Sequence, residues 1–224
     1  MKLQFLGTGA ADWNAEFDSE NPEYRRNSSA LVDGVLLIDP GPCVPDAIEK
    51  MGIEVTGIKY VINTHKHPDH FDEQTLSWLT QNGAEYIECT EGEPVTLGEY
   101  EIIPLKGHHR VPTLHYLISD GKSRLFYGLD SAWLLYDEVA AIIKHPVDLA
   151  VFDATIGFVE GDYRIFEHSN LRMVLEMKAT LAPYIKRFCI SHMAKTLHTG
   201  HQELADTMAK HDVVTAFDGL EVEF

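Results

Sequence analysis

Along the 224-residue chain, short runs of β-branched and aromatic residues alternate with longer stretches in which apolar residues recur three and four apart. The short runs, at 3–6, 30–32, 35–38, 60–62, 100–105, 114–118, 124–127, 149–152 and 188–190, predict strands. The longer stretches predict helices over 45–51, 72–80, 132–143, 169–181 and 201–210, with Ser169 and Thr199 as start residues. Strands interleaved with helices place the chain in the α/β or α+β class and suit two packed sheets flanked by helices. No internal repeat, low-complexity tract or Ser/Gly-rich linker breaks the pattern, so one domain over 1–224 is expected.

The strand-like runs end in a recurring way. Leu36-Leu37-Ile38 leads into Asp39, Tyr60-Val61-Ile62 into Asn63-Thr64-His65, and Leu125-Phe126-Tyr127 through Gly128-Leu129 into Asp130. Leu149-Ala150-Val151-Phe152 leads into Asp153, and Phe188-Cys189-Ile190 into Ser191-His192. Turn chemistry accounts for a single Asp or His at a strand end. A whole set of them points instead to strand ends on one sheet edge, where residues distant in sequence converge rigidly on a site.

Apolar residues make up 45% of the chain and charged residues 24%, the balance of an ordinary globular protein large enough to build a core without disulfides. Cys43, Cys89 and Cys189 are odd in number and far apart, which excludes zinc knuckles and redox pairs and predicts buried, reduced thiols. The first residues, Met1 to Gly9, hold too few apolar side chains for a signal-peptide core or a membrane span, so a cytoplasmic protein is expected. With 35 acidic against 18 basic residues the formal charge is -17, a field that repels polyanions and weighs against a nucleic-acid substrate.

Thr64-His65-Lys66-His67-Pro68-Asp69-His70 packs three of the twelve histidines and an aspartate into six positions after a buried strand. A solvated loop has no use for this, because adjacent imidazoles repel when protonated and contribute little packing. Neutral imidazole and carboxylate suit zinc, manganese or iron, and the absence of thiolate argues for a reactive rather than a structural centre. Alternate residues His65 and His67 can point to one side while Asp69 and His70 turn toward a second position.

This His-x-His-x-Asp-His pattern resembles the hallmark of the metallo-β-lactamase superfamily. Phe5-Leu6-Gly7-Thr8-Gly9-Ala10, Tyr24-Arg25-Arg26-Asn27-Ser28-Ser29-Ala30, Leu37-Ile38-Asp39-Pro40-Gly41 and Phe217-Asp218-Gly219-Leu220-Glu221-Val222 resemble one branch of it, which contains the phosphoribosyl cyclic phosphate phosphodiesterase. The resemblance implies an α+β fold, a four-layer αββα sandwich, carrying two divalent metal ions per chain, zinc or manganese and also iron. It places His65, His67 and a third histidine on the first ion, Asp69, His70 and His192 on the second, and Asp130 as the bridge. Asp39 would orient a ligand without touching metal. Gly107-His108-His109-Arg110 offers two neighbours for the third histidine; the branch pattern favours His109 over His108, and His115 reads as a half-buried structural residue. Phe166-Glu167-His168-Ser169 resembles the branch's helix-opening histidine, which makes His168 the candidate general acid beside the catalytic carboxylates Asp69 and Asp130. His198 and His201 resemble the branch only loosely and read as surface or supporting residues.

One departure stands out: residues 12–23 lack the cysteines that hold an extra structural zinc in related phosphodiesterases. The resemblance implies a dinuclear hydrolase of a small phosphodiester, cyclic ones included. Its expected partner is a small phosphorylated molecule rather than nucleic acid or membrane, with a homodimer compatible. Rival readings are a tRNA 3′-processing endonuclease, for which no basic arm is visible, a lactonase or thioesterase, and a non-catalytic metal-binding or redox module.

Overall fold

The computed structural model describes residues 1–224. In chain order its elements are β1 (Lys2–Gly7), α1 (Ala15–Asp18), β2 (Ser29–Val32), β3 (Leu36–Ile38), α2 (Val44–Met51), β4 (Tyr60–Ile62), α3 (Glu73–Gln81), β5 (Glu85–Tyr86), β6 (Val95–Leu97), β7 (Tyr100–Lys106), β8 (Leu114–Ser119), β9 (Arg124–Gly128), α4 (Tyr136–Lys144), β10 (Val147–Asp153), α5 (Leu171–Leu181), β11 (Ile185–Ser191), α6 (His201–Ala209), β12 (Val213–Thr215) and β13 (Glu221–Glu223). They divide into two units, Met1–Cys89 with Phe217–Phe224, and Thr90–Ala216.

The first unit is built on a six-stranded sheet in the order β13-β1-β2-β3-β4-β5. Leu3 pairs with Val32 and Leu31 with Leu37 in antiparallel register, whereas β3 and β4 run parallel, joined through α2. Pro45 opens α2, where its missing N–H costs nothing, and Gly52 closes it at φ +65, a left-handed cap that suits glycine. Leu6, Leu31, Leu37, Val61, Ala47, Ile48 and Leu79 form the core between this sheet and its helices. Each Leu, Ile or Val among them contributes about 1.5–3 kcal/mol when fully buried. After β4 the chain runs through the histidine-rich loop to Asp72, whose carboxylate caps α3 by accepting from the Thr75 N–H at 2.7 Å.

The second unit holds a seven-stranded sheet, β12-β11-β10-β9-β8-β7-β6. Strands β9 to β12 are mutually parallel and β6 to β9 antiparallel. Phe126, Phe152 and Phe188, from three adjacent parallel strands, pack ring to ring at 6.0 and 5.9 Å, at the heart of a core shared with Leu171, Val174 and Leu181 of α5. The parallel strands end together at Gly128, Asp153, Ser191 and Thr215, so the residues that follow them emerge from one sheet edge.

Several expectations need correction. Strands β5, β6, β12 and β13 and the single turn α1 escape the sequence pattern, because each of these short pieces carries a Glu, Asp or Thr that interrupts its apolar run, whereas the equally short β3 and β4 are wholly aliphatic or aromatic. Helix α4 begins at Tyr136 rather than 132, since the Ala132 N–H is bonded to the His108 carbonyl and Leu135 to Glu138. Of the three free thiols only Cys189 is buried, and burial pushes it up to about 12; Cys43 and Cys89 are half-exposed. His115 is wholly rather than half buried. No helix is long and apolar enough to cross a membrane.

Candidate metal centre

In the first unit the end of β3 supplies Asp39, fully buried and at φ +64. This carboxylate accepts from the Thr64 backbone N–H at 2.6 Å, the Thr64 hydroxyl at 2.9 Å, the Asn63 side chain at 3.1 Å and His70 Nδ1 at 2.8 Å. With its hydroxyl proton given to Asp39, Thr64 Oγ1 accepts from His65 Nδ1 at 3.0 Å. The network therefore assigns the Nδ1 proton to both His65 and His70 and leaves Nε2 as the atom through which each could bind a metal. His65 Nε2 lies 2.9 Å from His67 Nδ1, and His70 Nε2 lies 3.4 Å from Asp69 Oδ2. Two ligands held about 2.0–2.2 Å from one ion lie about 2.9–3.5 Å apart, so both pairs fit metal coordination in spacing as well as in donor chemistry.

Gly41 brings these parts together. A Cβ on it would sit 2.4 Å from the Asp69 carbonyl oxygen, so only glycine lets the turn after β3 lie against the histidine loop.

In the second unit Asp130 follows β9 at φ +53, with its two oxygens facing different histidines. Oδ1 is 3.8 Å from His109 Nε2 and Oδ2 is 3.2 Å from His192 Nε2, the disposition a bridging carboxylate needs. His109 Nδ1 donates to the Glu167 carbonyl at 3.1 Å, and His108 next to it is exposed. His192, also left-handed at φ +63, donates from Nδ1 to Thr155 Oγ1 at 2.7 Å, and Thr155 donates to Asp153 at 3.0 Å. The Thr–Asp relay beneath His65 is thus repeated beneath His192. Left-handed backbone costs an ordinary residue about 1–2 kcal/mol, and among non-glycine residues it falls on Asp39, Asp130 and His192, besides the turn residues Asp33 and Asp212.

His168 joins this cluster. Its Nδ1 lies 3.0 Å from Asp153 Oδ2 and 3.4 Å from Asp130 Oδ1, and its ring stacks on His192 at 5.6 Å. Burial opposes its charge, but the charge of Asp153, the hydrogen bond to it, and Asp130 and Glu167 outweigh burial and push its pKa up to about 9. Ligand atoms of Asp130, Asp153, His168 and His192 all lie within 4.8 Å of one another. Asp153 was legible only as a strand end, and neither Thr155 nor Thr64 was legible at all; the Thr-His and Asp-x-Thr pairings after strands are the signals that would have found them. His198 has a supporting part, its Nε2 lying 2.6 Å from the Ala154 carbonyl.

The sequence profile of the Metallo-beta-lactamase superfamily matches residues 24–71. Over its whole length the chain superposes on the metallo-beta-lactamase fold protein YhfI from Bacillus subtilis with a TM-score of 0.79 at 18% identity, covering 99% of that protein. The chain is a metallo-β-lactamase-fold protein. Its α+β class, with two sheets and flanking helices, is the one expected from the sequence. A diphosphatase from the PhnP family superposes on this metallo-β-lactamase-fold chain with a TM-score of 0.74 at 20% identity, over 100% of the chain and 97% of that protein. The anti-Pycsar protein Apyc1 of Paenibacillus xerothermodurans is 35% identical over 71 residues, 31% of this chain, and the match spans about a quarter (26%) of its own length.

Proposed function

We propose that this metallo-β-lactamase-fold protein works as one dinuclear metal-dependent hydrolase over 1–224, with a small phosphodiester as its substrate. In this reading His65, His67 and His109 hold one divalent ion, Asp69, His70 and His192 a second, and Asp130 bridges them. The observation that carries it is the pairing of Asp130, whose oxygens face two histidines, with His168 held on Asp153. The oriented Nε2 atoms of His65, His70, His109 and His192, each fixed by a hydrogen bond at Nδ1, are what metal-ligating histidines require. Zinc or manganese suits these donors, and once bound such a pair supplies Lewis acidity and a hydroxide at neutral pH.

The chain's own residues do the rest. With Nδ1 committed to Asp153, His168 presents Nε2, the atom that would give a proton to a departing alkoxide. Trp133 and Tyr136, after Asp130, and Phe158, Tyr163 and Phe166, before His168, are exposed. The formal charge of -17 suits a small phosphodiester better than a long polyanion.

Elemental analysis of the metal-replete protein, followed by a panel of phosphodiesters, lactones and thioesters, tests the reading. Two ions per chain with kcat/KM for a phosphodiester about 10²-fold or more above the acyl substrates is the expected result. A protein without bound ions, or one that prefers a lactone, overturns it.

A further inference from the structure

His115 and Glu138 form a charge pair that the chemistry above does not use. Both are wholly buried. His115 Nδ1 donates to Glu138 Oε1 at 2.5 Å and Nε2 donates to the Leu129 carbonyl at 2.9 Å. Each ring nitrogen meets an acceptor, so the ring carries both protons; burial opposes that charge, and Glu138 outweighs it and raises the pKa. The second oxygen of Glu138 accepts from the Leu135 N–H at 2.7 Å, which closes the network at the start of α4.

Stability does not explain such a pair, because apolar residues of similar volume serve a core as well or better. What apolar residues lack is direction. The His115 ring lies against backbone on two sides: a Cβ on Gly107 would come 2.7 Å from Nε2, and one on Gly128 would come 3.1 Å from Nδ1. Gly107 stands two residues before His109, and Gly128 two before Asp130. The two loops are also tied to each other, since the His108 N–H donates to Ser131 Oγ at 3.1 Å and the Ala132 N–H to the His108 carbonyl at 3.2 Å. The carbonyl that His115 holds belongs to Leu129, the residue that leads into Asp130 and its left-handed φ of +53.

We propose that the buried His115–Glu138 pair is the positioning element for His109 and Asp130, holding the two loops so that Asp130 Oδ1 and His109 Nε2 share one ion. This rests on the reading of those two side chains as metal ligands. His115 and Glu138 touch neither metal nor substrate; they act through the backbone at Leu129 and Gly107.

The test uses the full-length protein, stripped of metal and titrated with zinc against a chromophoric chelator, with cobalt(II) absorption as the record of coordination geometry. The double variant His115→Leu/Glu138→Met replaces the pair with an apolar core. Its metal-free form is expected to melt within a few degrees of wild type, while zinc affinity falls about 10- to 100-fold and the cobalt spectrum shifts. Unchanged affinity and spectrum overturn the proposal. Should the double variant not fold, Glu138→Gln and Glu138→Leu decide: the Gln variant keeps an acceptor for His115 and is expected to recover most of the affinity that the Leu variant loses. Equal affinities in those two variants overturn the proposal. Wild type that takes up no divalent ion overturns the metal reading and this inference with it, whereas wild-type uptake with unaffected variants overturns this inference alone.

Discussion

Gly41→Ala puts the architecture of the histidine loop to a quantitative test. The new Cβ would lie 2.4 Å from the Asp69 carbonyl oxygen, 3.3 Å from its carbon and 3.6 Å from the His70 carbonyl carbon. Contacts under 3.0 Å are essentially never seen and ordinary contact begins at 3.4 Å, so the Asp69–His70 backbone must retreat. The retreat is about 0.6–1 Å, beyond the ~0.5 Å within which a site keeps its productive geometry. Overpacking of this kind costs about 1–3 kcal/mol, and at roughly 2–4 °C per kcal/mol it lowers the melting temperature without unfolding the protein. The effect on the site is larger: affinity for the ion proposed to sit on Asp69 and His70 should fall about 10- to 100-fold, and kcat/KM for a phosphodiester about 10²-fold. Gly34→Ala is the control, because its Cβ meets nothing within 4 Å and only the φ of +74 is strained. That variant should lose about 1–2 kcal/mol of stability and no metal. The assay is a zinc titration of both metal-free proteins beside their thermal melts. Wild-type zinc affinity in Gly41→Ala, or equal metal loss in the two variants, would refute close approach as the device that places Asp69 and His70.

Three other outcomes are expected. Asp130→Ala should lower metal content at both positions, where a single histidine variant lowers one, as read by elemental analysis; two retained ions with full turnover would show that Asp130 is not the bridge. His168→Ala should keep its metal yet slow phosphodiesters with poor leaving groups by about 10²–10⁴-fold, with far less loss on a nitrophenyl ester; equal losses on both would assign His168 to substrate positioning. Because the folded pKa of His115 is raised above 6.5, the stability it draws from Glu138 is complete below pH 6.5 and is lost as pH rises through the folded value. Denaturant unfolding should therefore show the gap between wild type and Glu138→Gln widest on the acid side and narrowing with rising pH, and a gap that widens with pH would contradict the charged pair.

The linear chain determined the parts of this protein that are local. Apolar runs at 35–38, 60–62, 124–127, 149–152 and 188–190 became β3, β4, β9, β10 and β11, because hydrophobic burial writes its period directly into neighbouring residues. The cluster from His65 to His70 was legible for the same reason: its donors sit within one short loop. What only the tertiary structure decided are the partners brought from far along the chain. His109 and His108 have the same chemistry, and only the fold turns the first toward Asp130 and leaves the second exposed. Asp39 and Asp153 differ from any strand-capping aspartate only through Thr64, His70, Thr155 and His168, which arrive from as many as 31 residues away. His115 looked like a half-buried structural histidine because Glu138 lies 23 residues later, on a helix whose start the apolar pattern misplaced. A hydrogen bond between distant side chains leaves no period in the sequence. It depends on where two backbones have already been placed, and packing of the sheets and helices supplies that placement.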